Sequence, residues 1–165
     1  SSPKNKTANL SCHLINSIWL FRCMCVINPQ RLNDAYALLP HGLSLRVIKE
    51  ITQADARQIQ CVIPPALDNP LWDEGPWVSS FTCVEYAAQA AAIHGILMGA
   101  EYDPANPAYI GAVKDIQIEQ AHYAKTATVI VVAQQQYSER DGAIYEFEGF
   151  AGTQKLLRGR LILKK

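Results

Sequence analysis

The segment Phe81–Leu97, FTCVEYAAQAAAIHGIL, constrains this chain more than any other. From Phe81 to about Met98 it carries mostly strong helix formers and no proline, and Gly99 ends the run. Ser79 and Ser80 stand where N-caps belong. A helix that is apolar on nearly every face has no side to give to water and must be enclosed. The element able to enclose it is a curved sheet.

The flanking segments supply that sheet. Upstream, Arg31–Leu39 reads as a short helix stopped by Pro40 and Gly42. Leu43–Thr52 and Arg57–Ile63 then alternate apolar and polar residues around a QADA turn, as a hairpin does. Pro64–Trp77, PPALDNPLWDEGPW, holds four prolines and reads as a shaped loop rather than a regular element. Downstream come four strand candidates, Tyr109–Glu119, Ala127–Tyr137, Ala143–Phe150 and Lys155–Leu163, with Arg140-Asp141-Gly142 as a hairpin turn. The expected architecture is α+β: a curved antiparallel sheet wrapped around one long central helix.

A length of 165 residues fits one domain with a sizeable core. Fifteen basic and fifteen acidic residues cancel, and no Lys/Arg cluster is interleaved with aromatics, so no nucleic-acid partner is expected. Five cysteines, an odd number at irregular spacings, do not form a disulfide framework, and a reducing, cytoplasmic compartment is expected. Cys12, His13, Cys23 and Cys25 lack the second matched pair that a metal site needs, so no metal is expected. The apolar stretch Leu14–Ile27 is interrupted by Arg22 and is too short to span a bilayer. Residues 1–27 are read as an N-terminal extension to a single domain over 28–165.

Within the helix, a rotation of about 100° per residue puts Glu85 on one face with Ala88, Gln89, Ala92 and Ile96. His94, nine positions on, lies on the opposite side, so it is not the partner of Glu85. It reads instead as a core histidine with its hydrogen bonds satisfied. Glu85 is either a catalyst raised toward neutrality by apolar surroundings or a charge that reaches solvent. Gln89, one turn on, is placed to hold a ligand group jointly with it. His122 lies beside a polar turn, and His41, after Pro40, reads as structural unless the fold brings it to the helix.

Four motifs in order, Leu39-Pro40-His41, Asp68-Asn69-Pro70-Leu71-Trp72, Trp77-Val78 and Glu85-Tyr86-Ala87-Ala88-Gln89, resemble the hotdog-fold 3-hydroxyacyl-carrier-protein dehydratases. Among those the chain looks most like the ApeP-like group of aryl polyene biosynthesis, from about residue 28 to the C-terminus. The resemblance implies removal of water across C2 and C3 of an acyl thioester in a fatty-acid-like or aryl polyene pathway. It further implies Glu85, Gln89 and His41 as catalytic residues, and Asn69, Trp72 and Trp77 as substrate contacts. No cofactor is implied beyond the phosphopantetheine of the acyl carrier protein that bears the substrate. The implied assembly is a homodimer or a heterodimer with another hotdog subunit, the acyl tunnel lying between subunits.

The chain departs from that pattern where the related enzymes carry a loop histidine in G-H-F-P, because here NPLW runs into DEGPW. Asp73 and Glu74 are the acidic residues nearest that position. The LPHGLSLRVIKEI segment also lacks the acidic residue that usually ends the first strand. A composite site, with the base on a second subunit, reconciles Glu85 with the missing histidine. Two alternatives stay open: a thioesterase, in which the helix carboxylate promotes attack of water, and a non-catalytic partner or scaffold subunit.

Overall fold

A computed structural model describes residues 27–40, 45–67, 75–103 and 105–165. Helix α1 (Pro29–Leu38) starts two residues earlier than the sequence pattern indicated. Asn28 is its N-cap, with Oδ1 accepting from the Gln30 N–H at 2.9 Å, and Pro29 fills the first turn, where no N–H is required. The Asn-Pro pair thus opens the helix rather than merely preceding it. Leu32, Ala35 and Tyr36 form its buried side, which faces β1 and α2.

Six antiparallel strands form the main sheet: β1 (Glu50–Ala54), β2 (Gln58–Ile63), β4 (Tyr109–Ile118), β6 (Val129–Glu139), β7 (Gly142–Ala151) and β8 (Gln154–Lys164). Their spatial order is β1-β2-β6-β7-β8-β4. Helix α2 (Thr82–Leu97) lies across β2, β6, β7 and β8. A second sheet pairs β3 (Trp77–Ser79) with β5 (His122–Ala124) beside the start of α2. The helix wrapped by a curved antiparallel sheet is therefore present, as the apolar Phe81–Leu97 segment required. Of the expected extension over 1–27, residues 1–26 lie outside the described residues, while the Ile27 N–H bonds the Ile51 carbonyl at 3.2 Å. Among the described residues, no helix is long and apolar enough to cross a membrane.

Three sequence expectations need correction. The first strand is Glu50–Ala54, not Leu43–Thr52, because the N–H groups of Val47 and Ile48 bond to the side chains of Gln89 and Tyr36 rather than to a neighbouring strand. Trp77 belongs to β3, since three residues are enough to pair with β5 but too few to show alternation. Neither serine caps α2. Its N-cap is Phe81, already in helical conformation at φ −59, and the opening turns close through Cys83 N–H to Ser80 O and Val84 N–H to Phe81 O.

Alanines let α2 sit close on the sheet, and Gly149 of β7 takes this furthest. A Cβ at Gly149 would stand 2.6 Å from Cys83 Sγ and 3.0 Å from Cys83 Cβ, closer than packed atoms tolerate. Gly149→Ala is expected to cost about 1–3 kcal/mol through this overlap, and a second change, Cys83→Ala, to recover part of the loss. Urea unfolding of the two single variants and the double variant measures both; strict additivity would contradict the contact.

Cys61 and Cys83 are buried and free. Burial pushes each thiol up from 9.0 to about 12, so the folded chain holds these protons where the unfolded chain loses them. A folded pKa above the unfolded one gives stability that is complete below pH 9 and is lost as the pH rises toward 12. The expected slope is about 1.4 kcal/mol per pH unit per thiol within that window. Urea midpoints should hold from pH 7 to 8 and fall steadily above 9; a flat profile to pH 11 would contradict the burial of both thiols.

Candidate active site

Glu85 sits in the first turn of α2, half-buried, on the face that the helical rotation assigned to it. Ala88, Ala92, Gly95 and Ile96 continue that face and, with Glu85, line a groove of about 310 Å³. The opposite wall is built from Leu39 and Pro40 after α1, Tyr109 and Ile110 of β4, and Tyr145 of β7. Small side chains on the helix leave the space, while the sheet supplies apolar surface. The result is a mostly apolar slot with three carboxylate residues, Glu85, Glu101 and Glu139, in its lining, able to take an apolar chain carrying a polar reacting end.

Gln89, fully buried, is hydrogen-bonded to Glu85. Its Nε2 donates to Glu85 Oε1 at 2.9 Å and to the Leu45 carbonyl at 2.8 Å. Its Oε1 accepts from the Tyr36 hydroxyl at 2.8 Å and from the Val47 N–H at 3.3 Å. A primary amide has two N–H donors and two lone pairs, so Gln89 is saturated by the protein itself. Gln89 therefore holds Glu85 in place, which differs from the joint grip on a ligand that the spacing allowed.

His94 is buried and faces away from Glu85. Its Nε2 lies 2.7 Å from the Asp55 carbonyl, which can only accept, so Nε2 carries a proton and donates. Its Nδ1 lies 2.9 Å from the Tyr145 hydroxyl, which itself accepts from Gln135 Nε2 at 2.9 Å. In the neutral ring, Tyr145 donates to Nδ1, and both ring nitrogens of His94 are satisfied. Burial pushes the Tyr145 phenol up to about 12, which keeps that donor protonated. The cluster ties the β1–β2 turn to α2 and is a structural fastening, as the sequence reading of His94 expected.

The remaining site candidates fall elsewhere. Trp77 is 61% exposed on β3 and is not among the groove's lining residues. His122 is exposed on β5, paired with Ser79. His41, Asn69 and Trp72 lie outside the described residues, as do Asp73 and Glu74. Pro40, however, lines the groove, and the Leu45 carbonyl bonds Gln89, so the residues on both sides of the His41 segment touch the Glu85 site. At the start of α2, the Phe81 N–H already bonds Ser79 Oγ, and those of Cys83 and Val84 close the first turn, so these three are not available to a thioester carbonyl.

Sequence reasoning missed Tyr36, Tyr145 and Gln135. Each is a polar side chain whose partner lies on a distant element, and no local pattern announces such a pairing.

The family model described as ApeP-like, ApeP dehydratase, matches residues 33–163. A comparison with curated protein sequences finds no match. Among solved structures, the chain is similar to the dehydratase heterocomplex ApeI:P from Xenorhabdus doucetiae, at TM-score 0.69 and 12% identity over 79% of this chain and 90% of that one. It is similar also to a mutant thioesterase from Pseudomonas aeruginosa, at TM-score 0.59 and 12% identity over 84% and 93% of the two chains. A third likeness is to the PaaI protein of E. coli, from the phenylacetic acid degradation operon, at TM-score 0.58 and 12% identity over 82% and 93%. Identities this low speak to the fold alone, and the fold is the hotdog fold. With the family match covering α2, the groove and the sheet, the chain belongs to the ApeP-like dehydratase family.

Proposed function

We propose that this chain takes part in dehydrating (3R)-3-hydroxyacyl thioesters carried on acyl carrier protein, as one half of a composite site completed by a second hotdog subunit. The observation that carries the reading is Glu85, fastened by Gln89 on the wall of an apolar groove, with neither described histidine among the lining residues. In the reaction, a base removes the C2 proton and the C–H electrons become the C2–C3 double bond. The C3–O bond breaks, and Glu85 gives its proton to the departing hydroxyl, which leaves as water. The thioester stays intact, and the acyl chain lies along Ala88, Ala92 and Ile96.

Among the described residues no histidine lines the groove, which supports placing the base on the second subunit. Strand β4 is one of the two edges of the main sheet among the described strands, ten residues long, with Tyr109, Ile110, Val113 and Ile118 exposed. An edge of that length and apolarity is suited to pairing with another chain. Tyr109 and Ile110 also line the groove, so a subunit paired there reaches the substrate. That a similar structure is a complex of two dehydratase components supports a heteromeric partner here. An aryl polyene or fatty-acid-like pathway is the setting we assign on family membership.

The test is product analysis on a 3-hydroxyacyl-carrier protein, using the chain alone and the chain with a co-expressed hotdog dehydratase subunit. Loss of one water from the carrier-bound acyl group, seen with the pair and not with this chain alone, is the expected result. Release of the free carrier thiol would replace dehydration by hydrolysis. Within the active pair, His41→Gln should stay within a few-fold of the parent; a large loss would return the base to this chain.

A further inference from the structure

The orientation of Gln89 needs a cause, because an amide turned end for end would press its oxygen against both the Glu85 carboxylate and the Leu45 carbonyl. We infer that Tyr36 is a positioning residue for Glu85, acting through Gln89; the inference rests on the reading of Glu85 as the proton donor.

The hydrogen bonds have a fixed direction. Ile48 N–H donates to one lone pair of the Tyr36 oxygen at 2.9 Å, and the Tyr36 hydroxyl donates to Gln89 Oε1, 2.8 Å away. Val47 N–H can only donate and the Leu45 carbonyl can only accept, so these two identify Oε1 and Nε2 and turn Nε2 toward Glu85. The other donor to that oxygen, Val47 N–H, is longer at 3.3 Å, so the hydroxyl is the stronger lock. Tyr36 is 2% exposed, and burial keeps its phenol well above the ordinary range, a neutral donor at all working pH values. The Arg46 guanidinium stacks 5.2 Å over the Tyr36 ring and donates to the Tyr36 carbonyl at 3.3 Å, holding this end of α1 in place. Tyr36 is not among the groove's lining residues, so it acts on the reaction only through Gln89.

Tyr36→Phe removes the lock and keeps the ring. In the complex with the partner subunit, kcat should fall about tenfold with KM within twofold, the signature of a displaced transition-state contact. Two further readouts separate positioning from simple stability. By NMR, hydrogen exchange of the Gln89 side-chain amide should quicken about tenfold, matching the loss of about one hydrogen bond, while the backbone amides of α2 keep their protection. In the double variant Tyr36→Phe/Glu85→Gln, the rate should not fall below that of Glu85→Gln alone. Unchanged Gln89 exchange, or a full additive loss in the double variant, would overturn the inference. If Glu85→Gln alone leaves the rate intact, the catalytic reading fails instead, and the exchange measurement still decides whether Tyr36 holds Gln89.

Discussion

Glu85→Gln, measured in the chain bound to its partner subunit, should lower kcat for dehydration by about 10²–10⁴-fold, the range over which positioned acids and bases act. The amide keeps the size of the side chain and can still accept from Gln89 Nε2, so the fold and the groove remain. What would be lost, on the proposed reading, is the proton that converts the 3-hydroxyl into a leaving water. On the proposed reading KM should change little, because the acyl chain would lie along Ala88, Ala92, Ile96 and the β4 residues that line the groove rather than on the carboxylate. A scaffold subunit would behave otherwise, since its complex would keep the parent rate in the variant. Steady-state assay of the purified complex therefore separates the catalytic reading from the structural one.

Gln89→Leu should produce the largest stability loss of any single polar change in the site. Gln89 is fully buried and makes four hydrogen bonds, and leucine makes none. The Tyr36 hydroxyl, the Val47 N–H and the Leu45 carbonyl would lose these bonds in a place water does not easily reach. At about 1–3 kcal/mol for each buried group left unsatisfied, and allowing for non-additivity in a shared network, the total is about 3–5 kcal/mol. Urea unfolding monitored by circular dichroism measures it, and a loss under about 1 kcal/mol would mean that the network relaxes freely. Unlike Glu85→Gln, this variant loosens the whole 45–48 segment and α1, so its catalytic loss should come with a lower unfolding midpoint.

What the sequence made legible was governed by local chemistry. The helix from Thr82 to Leu97 followed from helix formers and apolarity, with its ends within one residue of those expected. The β6–β8 meander followed from alternation and from the turn at Arg140-Asp141-Gly142. The face of α2 that carries Glu85 followed from rotation alone, and the groove lies along it. What stayed hidden depended on distant partners. Leu45–Lys49 has a strand-like pattern, yet the N–H groups of Val47 and Ile48 go to side chains from α2 and α1. The β3–β5 sheet is too short to announce itself, and its second strand lies more than forty residues downstream of its first in the chain. Tyr36 sits in a polar stretch of α1, and its bond to Gln89 spans 53 residues. Resemblance supplied the chemistry for Glu85, but the four bonds of Gln89 could be counted only in the folded chain.

The central claim is that this chain supplies the acid and another subunit the base. Mass analysis of the carrier-bound product, after incubation with this chain, with the partner subunit, and with both together, tests it most directly. The expected result is loss of one water in the mixture, abolished when this chain carries Glu85→Gln and unaffected by His41→Gln. Full dehydration by this chain alone, or a mixture that works equally well with Glu85→Gln, would contradict the claim.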